Sequence, residues 1–262
     1  MFTSNPFAEL SAFIPPVLTQ TFVVVMILFV VGGTLFDIMH KKSAKYFFEN
    51  WRNADKNSTR RVGGGEMVSL AIQSAAVDIL ASGEFCSLRR RLAHLMTMYG
   101  FVIYAVTSVT LIFAYPTPET PAPAIVPLLW YLGALLVAVG GYWFWFFIRV
   151  DVVAEGNSPF RLVHADIFIV SLMTSVTLGL LWAIAQAAGA GTLATVLLVL
   201  YALDTIVLFG SVPWSKFSHM FYKPAAAFQK RVEKANGSRS NLPAPADKPA
   251  IYGGATQSPR HY

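Results

Sequence analysis

Cysteine is almost absent from this sequence, which has a single one, Cys86, among 262 residues. One cysteine cannot close an internal disulfide, and by itself it cannot hold an iron–sulfur cluster or a thiolate zinc site. Any redox metal in this chain therefore needs histidine ligands or a partner protein. Cys86 lies just before a basic run, and we expect a small buried side chain there rather than an acylated one.

Charged residues are also scarce, at 13% of the chain against 55% apolar residues. A soluble domain carries about a quarter charged residues, so the composition predicts that lipid surrounds much of this chain. Apolar stretches of about 20 residues are long enough to cross a bilayer, and these lack the alternation of a membrane β-barrel. The predicted spans are Val17–Met39, Leu92–Ala114, Ile125–Ile148, Ile167–Ala188 and Leu193–Val212. We therefore predict an all-α membrane protein, a bundle of five transmembrane helices.

Basic residues are missing from the N-terminal tail and from the loops 115–124 and 188–192. All 20 Lys and Arg residues fall in three other segments, Lys41–Arg91, Arg149–Arg161 and Lys216–Arg260. With five spans, the two groups of segments lie on opposite sides of the membrane. The positive-inside rule then predicts an N-terminus outside and a C-terminus inside. The tail also lacks the basic region of a secretory signal peptide, so we expect the first span to stay in the membrane.

The chain is expected to form one membrane domain, residues 1–223, with a polar loop at 40–91, followed by a tail at 224–262. Within the loop, Met67–Leu80 is too short to cross a bilayer and contains Asp78. These features favour an amphipathic helix lying at the membrane interface. The tail is rich in Ala, Pro, Gly, Ser and Lys, which predicts disorder until a partner binds it.

Histidines occur at the basic ends of four different spans. Two imidazoles from facing helices can hold a b-type haem, and nearby guanidinium groups could pair with its propionates. The histidines are His40, His94, His164 and His219, and the arginines are Arg89, Arg90, Arg91 and Arg149. The alternative is an interfacial role, because amphipathic rings are stable at the membrane–water boundary. Composition and spacing leave both interpretations open.

Two segments resemble a haem-b electron-transfer family, which includes the respiratory nitrate reductase gamma subunit and the membrane domain of the quinone-interacting oxidoreductase C subunit. They are Gly83–Gly100, GEFCSLRRRLAHLMTMYG, and Val212–Pro224, VPWSKFSHMFYKP. Within that family the chain resembles the membrane anchor of adenylylsulfate reductase from sulfur-oxidising bacteria. The resemblance implies a bacterial inner-membrane location, and it implies that His94 and His219 are the axial ligands of one haem.

The sequence departs from the family at the second ligand pair, where two-haem members have histidines and this chain has Tyr104 and Tyr201. Paired tyrosines are poor ligands for haem iron in this setting, so we expect at most one haem b. Asp204 lies one turn from Tyr201 on the same helical face. If the two tyrosines face each other, Asp204 could relay protons to a bound quinone. The alternative is a neutral Asp204 hydrogen-bonded to a neighbouring helix.

The expected function is that of a membrane anchor and quinone-reactive electron-transfer subunit, with no catalytic residue of its own. The resemblance implies that a cytoplasmic iron–sulfur flavoprotein, adenylylsulfate reductase, docks on the basic face. We expect quinone as the substrate, membrane lipid as the surroundings and no nucleic acid as a partner. The first alternative is a cofactor-free membrane tether or assembly protein. The second is a small transporter, which the lack of internal repeats disfavours.

Overall fold

The computed structural model describes residues 2–40, 43–83, 85, 87–149, 162–215, 217 and 219–242. These residues form helices and no strand. The α-helices in this part of the chain are α1 Pro16–His40, α2 Ser43–Lys56, α3 Gly64–Gln73, α4 Leu88–Phe113, α5 Ile125–Trp143, α6 Ile167–Ala187, α7 Gly191–Gly210 and α8 His219–Asn236. Short 3-10 helices lie at Ala8–Ala12 and His164–Asp166, and π-helices at Ser74–Leu80 and Phe144–Ile148 extend α3 and α5. Cys86 lies outside the described residues.

Five of these helices are long and apolar enough to cross a membrane: α1, α4, α5 with its π extension, α6 and α7. The predicted spans agree with them to within a few residues, and the third span, Ile125–Ile148, has the same bounds in the structure. The turn between α6 and α7 depends on Gly189, whose φ of +72° is a left-handed conformation that glycine adopts without strain. The protein is therefore a multi-pass membrane protein by helix length and composition.

The chain divides into two compact units, residues 1–37 with 82–218 and residues 38–81 with 219–262. In the first unit, α4 packs closely on α5 because glycines line their contact. A Cβ atom on Gly133 would lie 2.7 Å from the backbone nitrogen of Tyr104, and one on Gly100 would lie 2.8 Å from the carbonyl oxygen of Gly133. Small residues allow membrane helices to approach closely. Such packing matters in lipid because the hydrophobic effect does not drive helices together there.

The N-terminal segment is folded into one end of the first unit. Phe7 and Leu10 are buried. The Asn5 amide donates hydrogen bonds to the carbonyl oxygens of Leu111, at 3.2 Å, and Tyr115, at 2.7 Å. Carbonyl groups at the end of a helix lack partners within the helix, so Asn5 satisfies two acceptors at or just beyond the end of α4. The sequence showed that this tail has no basic residues. It did not predict that Asn5, Phe7 and Leu10 are buried.

The second unit contains α2, α3 with its π extension, and α8. Arg231 on α8 donates to both carboxylate oxygens of Asp78, at 2.5 and 2.8 Å. The end of α8 is capped from the preceding loop, because the Arg60 guanidinium donates to the carbonyl oxygen of Ala235 at 2.7 Å. The Thr59 hydroxyl likewise donates to the carbonyl oxygen of Asn236 at 3.0 Å. These bonds satisfy acceptors that the last turn of a helix leaves open.

The structure differs from the predicted domain boundary at Pro224. Helix α8 continues through Pro224 to Asn236, where disorder was predicted, and it belongs to the same unit as the loop. The reason is packing: Phe228 lies against Trp51 of α2 with ring centroids 5.8 Å apart, and Val232, one turn further on, is buried. The segment was predicted to be disordered because its overall composition is polar and rich in alanine, and that composition does not show that its apolar residues share one side of a helix. Residues 243–262 lie outside the described part of the chain.

The Asp78–Arg231 pair makes the packing of α8 sensitive to acid. Hydrogen bonding from Arg231 lowers the pKa of the Asp78 carboxyl from its ordinary value. Because the Asp78 pKa is lower in the folded state than in the unfolded chain, where it is about 3.9, the pair stabilises the folded state at any pH above that unfolded pKa. This stabilisation is lost as the pH falls through the folded-state pKa. We expect amide-exchange protection of α8 to drop below about pH 4 in the wild type. In Asp78→Asn, protection should be weaker at neutral pH and should lack this acid transition.

A control variant separates this effect from general surface charge. Glu66→Gln removes the pair with Arg60, which is solvent-exposed and of little energetic weight. Protection of α8 should therefore change little in Glu66→Gln. Equal protection at neutral pH in the wild type and Asp78→Asn would contradict the role given to the partly buried Asp78–Arg231 pair.

Candidate functional site

Five aromatic side chains from different segments meet inside the first unit. The hydroxyl oxygens of Tyr104 on α4 and Tyr201 on α7 lie 2.6 Å apart, in hydrogen-bond contact. Trp130 on α5 packs on Tyr104 with centroids 5.3 Å apart, and Trp182 on α6 stacks on Tyr201 at 6.0 Å. Phe7 closes the ring, because its centroid lies 5.6 Å from that of Trp130 and 5.3 Å from that of Trp182. We call these five residues the aromatic cluster.

Small and polar neighbours hold the aromatic cluster in place. A Cβ atom on Gly179 of α6 would lie 3.0 Å from the Tyr104 hydroxyl oxygen, so glycine leaves room for the tyrosine pair. The Trp130 indole nitrogen donates to the Ser108 hydroxyl at 2.9 Å. A buried indole needs such a partner, because an unsatisfied donor in apolar surroundings costs free energy.

The tyrosine pair leaves no room for an iron between its two oxygens. A metal bound by two opposite oxygen ligands would hold them roughly 4 Å apart, since such bonds are about 2 Å long. The hydroxyl oxygens of Tyr104 and Tyr201 are 2.6 Å apart instead, and their rings are packed against tryptophans. The residues present therefore do not fit a haem at this position. The sequence placed both tyrosines among the site residues, and the structure brings their hydroxyl groups together.

Asp204 lies one turn beyond Tyr201 on α7. The carboxyl group is half-buried, and its Oδ2 atom is buried without a hydrogen-bond partner in the described part of the chain. The neighbouring Thr205 hydroxyl donates to the carbonyl oxygen of Tyr201 at 2.7 Å and contacts the Ser175 hydroxyl at 3.1 Å. A carboxyl oxygen left without a partner at membrane depth is costly, which makes Asp204 a candidate for proton exchange or ligand contact.

His94 is oriented by a residue that the sequence did not single out. The Nδ1 atom of His94 lies 3.0 Å from the Ser82 hydroxyl, and the Phe85 ring packs on the imidazole at 4.9 Å. Ser82 is 2% exposed and has a φ of 48°, a conformation that is uncommon outside glycine and is often found at functional sites. Histidines that bind metals commonly have their second nitrogen oriented by such a contact. No sequence motif marked Ser82, because its conformation depends on the tertiary fold.

The other predicted ligands are distributed over both units. His164 is exposed in the first unit, and His40 is exposed in the second. His219 is the first residue of α8 in the second unit, and its side chain lies outside the described residues. The pairing of His94 with His219 therefore stays a prediction. No cluster of three or more His, Cys, Asp or Glu residues that could hold a metal ion occurs in the described part of the chain.

The arginines expected near a haem have different surroundings. Arg89 and Arg90 are exposed at the start of α4, and Arg91 is half-buried. Arg149 donates to the carboxylate of Asp166 and lies 3.9 Å above the Trp145 ring. The side chains of Arg149 and Asp166 are only 9% and 14% exposed. Arg149 thus joins the end of α5 to the start of α6, whereas the sequence suggested a propionate as its partner.

Comparison with known proteins gives a partial similarity. The citrate utilization protein B of Escherichia coli is 28% identical over 171 residues, which cover 62% of this chain and 42% of that protein. The chain therefore spans less than half of the curated relative that it matches. No family model matches the sequence, and no solved structure matches it. The chain is a multi-pass membrane protein with a distant similarity to part of a citrate utilization protein.

Proposed function

We propose that this protein is the membrane-anchor, quinone-reactive electron-transfer subunit of an oxidoreductase complex. It links a cytoplasmic iron–sulfur flavoprotein of the adenylylsulfate reductase type to the quinone pool, through at most one b-type haem. The observation that supports this best is the asymmetry of the first unit. The aromatic cluster fills the position where the family resemblance would place a second haem, whereas the Ser82-oriented His94 lies near the start of α4. The proposed location is the bacterial inner membrane.

The proposed topology has the N-terminus outside and the C-terminus inside. It rests on the distribution of the 20 Lys and Arg residues, none of which lies in the N-terminal tail or in the two short loops of the opposite side. In this orientation the second unit, which contains the polar loop and α8, faces the cytoplasm. A soluble enzyme in the cytoplasm can then reach the segments that carry most of the positive charge.

One haem in this arrangement would be held by His94 and His219. The contact between Nδ1 of His94 and the Ser82 hydroxyl would fix the orientation of the ring, as is common for histidines that bind metals. A bound haem supplies one-electron transfer between the soluble enzyme and quinone. The chain itself orients the imidazole through Ser82 and Phe85. The exposed Arg89 and the half-buried Arg91 are the candidates to pair with the propionates.

Quinone reduction also needs protons, and Asp204 is the proposed proton carrier beside Tyr104 and Tyr201. Its unpartnered carboxyl oxygen is the observation that supports this role. The alternative is a neutral side chain that bonds to a neighbouring helix. Quinone turnover and its pH dependence in Asp204→Asn decide between the two, since unchanged values would contradict proton transfer.

The second unit provides the proposed docking surface for the soluble enzyme. Arg52 and Lys56 on α2 and Arg61 in the following loop are exposed. Such a surface attracts an acidic partner and speeds its association, especially at low ionic strength. In the proposed reaction the partner converts sulfite and AMP to adenylylsulfate, and the two electrons released pass to quinone.

Haem content tests the proposal directly. The complex isolated through a tag on this chain should contain no more than one b-type haem per chain in a reduced-minus-oxidised spectrum. Any such signal should disappear in both His94→Ala and His219→Ala, because each variant removes one of the two residues that would hold the haem. His164→Ala is the matched control, since that exposed histidine has no assigned role, and its spectrum should equal that of the wild type. Two haems per chain, or a signal that survives both ligand variants, would contradict the proposal.

The similarity to citrate utilization protein B favours a second candidate function, a membrane role in the utilization of citrate. In that case the soluble partner would be an enzyme of citrate utilization rather than an adenylylsulfate reductase. Identification of the protein that copurifies with the chain distinguishes the two. A cofactor-free tether or assembly protein is the remaining alternative, and it is separated from both by the haem spectrum and by quinone reduction.

A further inference from the structure

The helix formed by α3 and its π extension, Gly64–Leu80, has an apolar outer face. Its exposed large apolar side chains are Val68 60%, Ile72 63%, Val77 46% and Leu80 54%, beside the exposed polar Gln73. Its less exposed side includes the buried Ser74 and Asp78, which is bonded to Arg231 of α8. A helix on a water-soluble surface exposes mainly polar residues to water, whereas this helix exposes four large aliphatic ones. We call the four exposed residues the aliphatic stripe.

Charge does not oppose contact between this helix and lipid. The helix contains two charged residues, Glu66 and Asp78, and both are paired. Arg60 donates to the two carboxylate oxygens of Glu66 at 2.9 and 2.5 Å, and Arg231 does the same for Asp78. Pairing of this kind reduces the cost of moving a carboxylate from water toward an apolar boundary.

The sequence keeps the end of this helix close to the membrane. Seven residues separate Leu80 from Leu88, the first residue of the membrane-spanning α4. A connection of that length reaches at most about 28 Å when fully extended, and less in any other conformation. Leu80 therefore lies within that distance of the point where α4 begins.

We propose that the aliphatic stripe lies in the boundary between the headgroups and the acyl chains of the bilayer, so that lipid is its partner. Helices of this kind bury their apolar face in the boundary while their polar face stays out of the acyl region. A protein partner fits the stripe less well, because protein interfaces depend on Trp, Tyr and Arg side chains and the stripe has none. The Asp78–Arg231 pair then holds α8 on the side of the helix away from the lipid.

Depth-dependent fluorescence quenching tests this proposal on the full-length chain. Ile72→Cys and Val68→Cys are made in a Cys86→Ser background, labelled with bimane and reconstituted into vesicles of phosphatidylcholine and phosphatidylglycerol. Lys56→Cys is the matched control, at an exposed charged position on α2 of the same unit. Bromine atoms near the headgroup end of the acyl chains should quench the probes at 68 and 72 several-fold more than the probe at 56. Aqueous iodide should quench them in the opposite order.

Two results would overturn the proposal. Quenching of the probes at 68 and 72 by iodide, as strong as at position 56 and with no effect of brominated lipid, would place the stripe in water. Protection of both probes from iodide and brominated lipid alike would show that protein covers the stripe. Two stripe positions are used because agreement between them excludes a local disturbance by either label. The chain is reconstituted alone, so no soluble partner can cover the stripe in this experiment.

Discussion

Replacement of Gly133 by valine should lower the free energy of unfolding by about 3 kcal/mol, at the upper end of the usual cost of overpacking. The added Cβ would lie 2.7 Å from the backbone nitrogen of Tyr104 and 2.9 Å from the carbonyl oxygen of Gly100. These atoms belong to the backbone of α4, so they cannot move aside as a flexible side chain can. The two helices must separate, and Tyr104 moves with α4 away from Tyr201.

The measurement is denaturant-induced unfolding in mild detergent, followed by near-ultraviolet circular dichroism, which reports on the packed tyrosines and tryptophans. Gly32→Val on α1 is the matched control, because a Cβ at Gly32 meets no atom within 4 Å. The control should change stability by no more than about 0.5 kcal/mol, as is usual for exposed positions. If Gly133→Val and Gly32→Val have equal stabilities, the close packing of α4 on α5 is contradicted.

Substitution of Asp166 by asparagine should be at least as damaging, at about 3–5 kcal/mol, because it removes a carboxylate that pairs with the Arg149 charge in a site that little water reaches. Only 9% of the Arg149 side chain and 14% of the Asp166 side chain are exposed. Asp166 also accepts a hydrogen bond from the backbone nitrogen of Val163 at 2.9 Å. Asparagine keeps an oxygen for that bond and removes the negative charge, so the variant isolates the ion pair.

The double variant Arg149→Met, Asp166→Leu provides the control for this experiment. Replacement of a buried ion pair by apolar side chains of similar size is often neutral or stabilising, since both desolvation costs disappear. The double variant should therefore unfold closer to the wild type than Asp166→Asn does. If both are equally unstable, the loss comes from packing or from the Val163 contact, and the ion pair is not its cause.

The membrane spans could be predicted because each one depends on a local property, a long apolar run. Ile125–Ile148 has the predicted bounds, and the ends of α6 and α7 moved by two residues or fewer. The apolar run dominates because an unsatisfied backbone in lipid is costly, so a span of this length becomes helical whatever its neighbours. Met67–Leu80 was also predicted to be helical, and it forms most of α3 and its π extension.

The remaining features depend on contacts between distant parts of the chain. The sequence marked Tyr104 and Tyr201 but left their contact conditional, because the distance between two helices is not a local property. Phe7 and Ser82 were not predicted as site residues. Phe7 follows a proline in a short tail and Ser82 precedes a glycine, and neither position belongs to a recognisable motif. The burial of Asp37, which is 2% exposed, was likewise not predicted. Close packing of Gly33 on α1 against Val212 brings protein around that part of the helix.

The similarity to the Escherichia coli protein is too partial to assign a function to this chain. The match with citrate utilization protein B covers 42% of that protein, so the activity of the whole relative does not transfer to this chain. The proposed adenylylsulfate reductase partner rests on two sequence segments, Gly83–Gly100 and Val212–Pro224. The orientation of His94 by Ser82 and the contact between Tyr104 and Tyr201 come from the structure and do not depend on either comparison.

The most direct test of the proposed function is electron transfer to quinone by the complex isolated through this chain. With sulfite as the electron donor and AMP as its co-substrate, reduction of a water-dispersible ubiquinone analogue is followed by its absorbance. The soluble enzyme stripped from the chain is assayed beside the intact complex. The account predicts that the intact complex reduces the quinone rapidly and that the stripped enzyme, although still able to reduce a soluble dye, does not. Equal quinone reduction by both preparations would contradict it and would leave the chain as a membrane tether.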